Sequence, residues 1–328
     1  MTGKRIALFD TDILTYRCAA AGEERSITAC HLKSGKEKSF KNRTEFKKYL
    51  KDKKYPYSPD DYIIYDVQTP NDPAMVMATI KRQVDKCLGE LFVDDAEMYL
   101  GAGETFRHRL PLPDLYKGQR LDMIRPIHLE EARKFVKNKY GAEVVSQIET
   151  DDKVSIRAYE ELEKGNIPII ISNDKDTYQA NGVRVYDWTL DNPKEFLVPL
   201  IGEIEWVKYK SSGGTYKGSG LKFLAYQMLA GDSADNYCGY TLSKVKYSAK
   251  KAVEALEGVK TPSDIQMVLE REFKLLYPSR FEYRDCHADD READWEDMLK
   301  LYFKTAYMLR SNHDEGNIYE FFEQFRKK

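Results

Sequence analysis

Carboxylate side chains occur in four short stretches of this sequence whose spacing suits metal binding. Carboxylates this close together repel one another unless a cation holds them, and ligation by oxygen alone suits Mg²⁺ or Mn²⁺. Eight such groups brought together need two or more ions, which is the composition of a two-metal phosphoryl-transfer site. The eight residues are Asp10, Glu149, Asp151, Asp152, Asp174, Asp176, Asp232 and Asp235.

Each stretch alone also has a structural explanation. Asp174 and Asp176 lie in Asn-Asp-Lys-Asp, which is ordinary turn chemistry. Asp151 and Asp152 open a predicted helix, where capping and the helix dipole favour acids. All four stretches, however, lie at the ends of predicted strands or helices. Ligands bind beyond the carboxyl ends of the strands in an open α/β sheet, so one shared site is the favoured interpretation.

The elements that would position these residues alternate between strands and helices. The run Ile167–Ile171 is rich in β-branched residues and is typical of a buried strand in a parallel sheet. The alternation predicts an α/β fold with a mostly parallel, three-layer sheet. The predicted strands are Arg5–Asp10, Ser26–Leu32, Tyr62–Val67, Glu97–Gly101, Ile167–Ile171 and Val183–Tyr186, and the predicted helices are Ile13–Ala21, Thr44–Leu50, Ala74–Leu91, Leu129–Tyr140 and Asp151–Leu162.

Two further regions complete the predicted organisation. Residues 102–128 are basic and broken by three prolines, which predicts a long functional loop that buries little apolar surface. Residues 201–328 are predicted to form a mainly helical second domain after a first domain at 1–200. Its predicted helices are Leu221–Leu229, Val245–Leu256, Ser263–Leu276 and Trp295–Leu309.

Composition excludes several classes of protein. The 328 residues are 42% hydrophobic and 32% charged, with a net charge of −2, and no apolar run has the length of a membrane span. Five scattered cysteines without a Cys-x-x-Cys pair argue against a zinc site or a disulfide framework and favour a cytoplasmic location. Residues 33–54 hold ten basic residues against three acids; a solvated face explains this run best, although segregated charge also suits a bound polyanion.

The order of the motifs resembles the flap endonuclease and 5′-3′ exonuclease family, in particular the bacteriophage and bacterial polymerase-associated 5′ nucleases within the PIN-like nucleases. The resemblance covers roughly residues 4–255. It rests on Leu-Phe-Asp-Thr-Asp at 8–12, Phe-Arg at 106–107 with Tyr-Lys-Gly-Gln-Arg at 116–120, Glu-Thr-Asp-Asp at 149–152, Ser-Asn-Asp-Lys-Asp at 172–176 and Gly-Asp-Ser-Ala-Asp-Asn at 231–236.

The resemblance implies a PIN-like (resolvase-like) nuclease domain with a basic arch and a metal-dependent 5′ nuclease activity. One metal group would comprise Asp10, Glu149, Asp151 and Asp152, and the other Asp174, Asp176, Asp232 and Asp235. Lys117, Arg120 and Arg107 would act on the scissile phosphate, and Tyr116 is a candidate for stacking on a base. The implied substrate is DNA with a 5′ end or flap, with RNA primers or an RNA–DNA hybrid as alternatives, cleaved by a monomer during phage or bacterial DNA replication. For a phage protein the location would be the host cytoplasm.

The sequence departs from the family pattern in two places. Ala102 stands about where several members carry an acid, so either Glu104 or Asp12 compensates or one ion is held more loosely. Residues 237–244 have a single glycine where the family has a glycine hairpin, which puts the hairpin and its monovalent cation site in doubt. Duplex binding is expected from the region that follows, through Lys244, Lys246, Lys250 and Lys251.

One alternative family shares some of these motifs. Phe9–Leu14, Ile171–Asn173 and residues 231–235 also resemble haloacid-dehalogenase-like Mg²⁺ phosphatases, in which Asp10 would be the nucleophile and Asp12 the general acid. These enzymes usually carry Thr or Val where Leu14 stands. This alternative also leaves the other carboxylates and the basic arch without a role.

Overall fold

The computed structural model describes residues 3–52, 58–209 and 213–326. The strands are β1 (Arg5–Asp10), β2 (Glu23–His31), β3 (Glu37–Phe40), β4 (Tyr62–Pro70), β5 (Asp95–Thr105), β6 (Glu143–Gln147), β7 (Ile167–Ile171), β8 (Arg184–Tyr186), β9 (Glu195–Leu197), β10 (Ile204–Lys208), β11 (Gly214–Gly218), β12 (Phe281–Arg284) and β13 (Asp290–Ala293). The helices are α1 (Thr11–Ala21), α2 (Arg43–Asp52), α3 (Pro73–Leu91), α4 (Leu129–Tyr140), α5 (Thr150–Glu163), α6 (Gly220–Ala230), α7 (Ala249–Ala255), α8 (Pro262–Leu276), α9 (Trp295–Ala306) and α10 (Ile318–Glu323).

A six-stranded sheet has the order β6-β5-β1-β7-β8-β9. Its strands are parallel except for the edge strand β9, which is antiparallel to β8. The β-branched run of β7 is almost wholly buried, as expected for a central parallel strand. The predicted α/β class with a mostly parallel sheet is therefore confirmed.

The register of the central strands brings two predicted acidic stretches together. Phe9 in β1 is paired with Ile171 at the end of β7. The residues that directly follow them, Asp10 and Ser172, are therefore adjacent. Helix α5 packs Val154 and Ala158 against apolar side chains of this sheet. The helix begins directly after Glu149, so the packing fixes where that acidic stretch lies.

The chain forms two compact units. The first comprises residues 1–13, 87–123 and 140–328, and the second comprises residues 14–86 and 124–139. Within the second unit, β3, β2 and β4 form an antiparallel sheet, on which α2 packs Phe46 and Leu50. The predicted domain boundary at residue 200 stays a prediction.

The region after residue 200 holds four strands that the sequence analysis missed. β10 pairs with β11 and β12 with β13, each as an antiparallel hairpin. These two hairpins were not predicted, and the mainly helical character of the region stays a prediction. Helix α7 begins at Ala249 rather than at Val245, and α9 ends at Ala306 rather than at Leu309.

The predicted long loop at 102–128 is more ordered than expected. Strand β5 continues to Thr105, and short 3-10 turns follow at Phe106–Arg109 and Gly118–Arg120. Leu112 and Tyr116 are buried in the main helical core. The expectation that this loop buries little apolar surface was wrong at these two positions.

Among the described residues, no helix has the length and apolar character needed to cross a membrane.

Candidate metal centre

Asp10 lies at the carboxyl end of β1 with its carboxyl group buried. Its Oδ2 accepts a hydrogen bond from Ser172 Oγ (3.3 Å), and its Oδ1 accepts one from the backbone N–H of Asp12 (3.2 Å). Burial, together with the charges of Asp12 and Asp174, raises the pKa of Asp10 to about 8. Such a group is costly to ionise unless a cation accompanies it.

Three carboxylates at the start of α5 form a first group. Glu149, Asp151 and Asp152 each place one oxygen within 4.8 Å of the others. Burial opposes ionisation of Glu149, but the charges of Lys117 and Arg107 lower its pKa to about 2. The pKa of Asp151 is instead raised by burial and by the neighbouring charges of Glu149 and Asp152. Three carboxylates thus face two basic neighbours, so full ionisation of this group would leave one negative charge uncompensated.

A second group joins the loop after β7 to the loop after α6. Asp176, Asp232 and Asp235 also place oxygens within 4.8 Å of one another. Burial raises the pKa of Asp176, and the charges of Asp174 and Asp235 raise it further. The tight turn that aims Asp232 depends on Gly231, whose φ is +82° and where a Cβ atom would lie 2.3 Å from Tyr237 O.

Asp174 lies near Asp10 and Asp176 but is not one of the three acids of the second group. Its Oδ1 accepts the backbone N–H of Asp176 (3.0 Å) and so caps the 3-10 turn Lys175–Gln179. Its charge nevertheless raises the pKa values of Asp10 and Asp176. Asp174 therefore both caps this turn and places negative charge near Asp10 and Asp176.

Asp12, rather than Glu104, lies at the site beside Ala102. Asp12 Oδ2 accepts hydrogen bonds from the N–H of Gly101 (2.8 Å) and from Thr150 Oγ1 (2.5 Å). A Cβ at residue 101 would approach Asp12 Oδ2 to 2.7 Å, so glycine permits the contact. Glu104 is exposed. Of the two predicted substitutes, Asp12 is therefore the one placed near Asp10.

Tyr116 lies between the two acidic groups. Its hydroxyl is 2.8 Å from Glu149 Oε2 and 2.9 Å from Asp235 Oδ2. The residue is only 2% exposed. This burial favours a role in holding the two groups in place over the predicted stacking on a base.

Of the two predicted basic residues that follow, Lys117 contacts both groups and Arg120 contacts the second. Lys117 Nζ contacts Glu149 Oε1 and lies 3.6 Å from Asp235 Oδ1. Burial opposes its charge, but Glu149 and Asp235 raise the pKa of Lys117 above its usual range. Arg120 Nη2 lies 3.1 Å from Asp235 Oδ1, and its side chain is 48% exposed. The predicted arch residues therefore lie where the two groups meet.

Arg107 has a different environment from the one predicted. All five of its N–H groups have acceptors: Nε donates to Thr305 O, Nη1 to Glu149 Oε2 and Asp152 Oδ2, and Nη2 to Asp152 Oδ1 and Tyr307 O. The residue is 3% exposed. No donor remains for a phosphate, so this geometry favours a structural role over the predicted catalytic one.

Asp152 is the main partner of Arg107. Its Oδ1 also accepts the N–H of Leu309 (3.0 Å), and its Oδ2 lies 3.3 Å from the N–H of Glu149. Both oxygens are thus engaged inside the protein, and the side chain is fully buried. Glu149 also has both oxygens engaged, by Lys117, Arg107 and Tyr116. Because Glu149 and Asp151 are only half-buried, they are nevertheless better placed than Asp152 to bind an ion.

Two buried glutamines were missed by the sequence analysis. Gln227 Nε2 donates to Asp176 Oδ1 (2.5 Å). Gln179 Nε2 donates both to Gln227 Oε1 (2.6 Å) and to Ala306 O (3.0 Å). Gln227 interrupts the apolar face of α6, and an amide on an apolar face is the signal that could have identified it.

The predicted duplex-binding lysines lie away from this centre on an exposed surface. Lys244, Lys246, Lys250 and Lys251 are all exposed, and Lys250 lies 3.6 Å from Glu254. Ser243 donates to Leu276 O, and Ser248 caps α7 by accepting from the N–H of Lys251. DNA binding by these lysines stays a prediction.

Metal affinity is expected to rise with pH. If Asp10 is a ligand as predicted, an ion would displace its proton, and because its pKa is about 8, binding should release protons below that pH. Affinity for Mg²⁺ should then increase by up to about tenfold per pH unit between pH 6 and 8 for each proton displaced. Calorimetric titration with Mg²⁺ in two buffers of different protonation enthalpy measures the release. A pH-independent affinity with no proton release would contradict this expectation.

No protein-family model and no curated protein sequence matches the chain. Solved structures similar to it include a T5 5′-exonuclease mutant, at 11% identity and a TM-score of 0.46, covering 99% of this chain and 97% of the other. A bacteriophage T5 flap endonuclease in a pseudo-enzyme-product complex with DNA and metal ions has 12% identity and a TM-score of 0.43, covering 99% and 98%. The catalytic core of Rad2 with a DNA substrate has 12% identity and a TM-score of 0.32, covering 83% and 62%. Similarity this low does not show that this chain shares an activity with these proteins.

Proposed function

We propose that this protein is a divalent-metal-dependent nuclease that hydrolyses phosphodiester bonds in DNA near a 5′ end. The single observation that carries the proposal is the pair of buried three-carboxylate groups with Tyr116 between them and Lys117 at both. The order of the sequence motifs supports the same conclusion. No described contact favours the phosphatase alternative, which has no role for the first three-carboxylate group or for Asp176 of the second.

The donor atoms of this centre fit hard divalent cations. All are carboxylate oxygens, and burial and like charge raise the pKa values of Asp10, Asp151 and Asp176, as expected where a cation is the missing partner. Glu149 and Asp151 with Asp10 would hold one ion, and Asp176, Asp232 and Asp235 another. Bound Mg²⁺ or Mn²⁺ ions would supply an activated water and charge stabilisation at the leaving oxygen.

The chain's own residues would bind and orient the phosphate. Lys117 and Arg120 place positive charge where the two acidic groups meet, so a phosphate bound there would lie next to both. Charge of this kind, fixed before the reaction, stabilises negative charge that develops in a transition state. Gln227 holds the carboxylate of Asp176 in orientation. The finer proposals are cleavage at 5′ flaps as well as ends, DNA or RNA–DNA hybrid as substrate, action as a monomer, and a cytoplasmic role in replication.

Product analysis tests the proposal most directly. With Mg²⁺ and a 5′-labelled DNA flap, the protein should release short 5′-phosphorylated products, and excess EDTA should abolish the release. A duplex of the same sequence, without the flap and labelled at its 3′ end, shows whether cleavage begins at the 5′ end. Full cleavage in EDTA, or phosphate release without chain cleavage, would overturn the nuclease proposal.

Lys117→Ala is expected to slow single-turnover cleavage by about 10²–10³-fold with a smaller loss of DNA affinity. The ammonium lies at both acidic groups, and removal of one preorganised charge commonly costs this much. Lys260→Ala, which removes an exposed lysine outside the centre, is the matched control. An unchanged rate at saturating enzyme would remove Lys117 from the catalytic machinery.

A further inference from the structure

A cavity adjoins the loop that carries Asp174 and Asp176. It has a volume of about 440 Å³ and lies wholly within the first compact unit. This volume falls in the range of roughly 300–1,000 Å³ typical of small-molecule sites. None of the carboxylates in the two acidic groups lines it.

Aromatic side chains form much of the cavity wall. They are Tyr178, Phe196, Tyr216 and Phe223. Tyr178 and Phe196 have ring centroids 5.6 Å apart at an interplanar angle of 44°. Phe196 is 41% exposed although it belongs to strand β9, so one aromatic face remains available to a ligand. Aromatic faces of this kind stack with planar heterocycles.

Asn173 lines the same cavity and carries an unsatisfied polar atom. Its Oδ1 is buried and accepts no hydrogen bond from any part of the chain that the structure describes. A buried acceptor without a partner is unfavourable, and rotation of the Asn173 side chain towards the cavity would let an N–H group of a ligand satisfy it. Nucleobases combine such N–H groups with a planar aromatic ring.

Charge determines which part of a nucleotide would enter. Asp187, Glu203 and Glu205 also line the cavity, so an anion inside would be repelled. Lys175 lines it too and lies 2.6 Å from Asp232 Oδ2, which belongs to the second acidic group. A neutral base could therefore occupy the cavity while its phosphate stays at Lys175, beside the metal centre.

We propose that this cavity binds one unpaired nucleobase of a single-stranded nucleic acid, close in sequence to the scissile phosphate. The inference rests on the proposed nuclease function for the position of that base. It adds a contact to the base itself, so cleavage should depend on a base being present at one position of the substrate.

A fluorescence titration tests binding without cleavage. Single-stranded oligonucleotides with one 2-aminopurine at successive positions are titrated with the protein in EDTA. Stacking should quench the fluorescence at one position with the wild type and with Phe196→Tyr, but not with Phe196→Ala. Phe92→Ala, which removes an 83% exposed phenylalanine outside the cavity, should quench as the wild type does. Absence of quenching, or equal quenching by Phe196→Ala, would overturn the proposal.

A substrate series separates this inference from the nuclease proposal. Flaps with one abasic residue at successive positions should show about a tenfold slower single-turnover cleavage at one position, as expected for the loss of one stacked base. Phe196→Ala should slow cleavage of the intact flap by a similar factor. On the flap whose abasic residue already slows the wild type, Phe196→Ala should leave the cleavage rate unchanged. Two results would refute the base site and leave the nuclease proposal intact. One is that Phe196→Ala and the abasic residue slow cleavage independently, so that their factors multiply. The other is that the protein cleaves the intact flap and every abasic flap at the same rate. A wild type that quenches 2-aminopurine but cleaves no flap would refute the nuclease alone.

Discussion

Asp176→Asn is expected to lower single-turnover cleavage of a DNA flap by about three orders of magnitude. The substitution keeps the size of the side chain but removes one charge from the second acidic group, where burial already makes charge costly. Loss of an ion that stabilises charge in the transition state costs several kcal/mol, and each 1.36 kcal/mol is about a factor of ten in rate.

Binding separates this effect from a loss of substrate affinity. Fluorescence anisotropy with a labelled flap in Ca²⁺ should give nearly the same affinity for Asp176→Asn as for the wild type, because the acid would hold an ion rather than the strand. Asp289→Asn is the matched control, since Asp289 is an exposed carboxylate outside both acidic groups. Wild-type cleavage by the Asp176 variant would exclude the second group from catalysis.

Arg107→Met is expected to lower the free energy of unfolding by about 3–5 kcal/mol. Removing the guanidinium leaves the buried carboxylate of Asp152 without its main partner, and an uncompensated buried charge costs about this much. Thr305 O and Tyr307 O also lose their donor. Urea unfolding followed by tryptophan fluorescence measures the loss.

A double variant identifies the origin of the loss. Arg107→Met combined with Asp152→Leu should recover part of the stability, because both charges are then absent. Arg120→Met provides the control, because Arg120 is half exposed and its partner Asp235 keeps contacts with Lys117 and Tyr116. A stable Arg107→Met protein with slow cleavage would instead support the predicted role of Arg107 at the phosphate.

The sequence was most informative where a residue's environment depends on its own strand or helix. Asp10 follows a run of buried apolar residues, and Glu149 precedes a helix with a clear apolar face, so the positions of both were predictable. The mostly parallel sheet followed from the same local patterns. Local patterns also identified the acids of the second group, because strand ends and tight turns have recognisable sequences.

Contacts between distant segments could not be predicted in this way. The acceptors that surround Arg107 come from residues 149, 152, 305 and 307, and no local pattern in the sequence links them. The burial of Leu112 and Tyr116 likewise depends on helices more than 100 residues later in the chain. The β10–β11 hairpin was missed because its strands lack a buried apolar run like that of β7. The directly opposed pair Trp206 and Tyr216 that stabilises it is visible only once the register is known.

The contacts of Arg107 with the segment that holds Thr305 and Tyr307 have a consequence for synthesis of the protein. The guanidinium and Thr305 are 198 residues apart in the chain. At roughly 5–20 residues per second, a ribosome adds Thr305 roughly 10–40 s after Arg107. During that interval the nascent chain has no acceptors for two donors of Arg107, and Asp152 lacks the N–H of Leu309. The first acidic group is therefore completed only late in translation, after the sheet that carries it has been made.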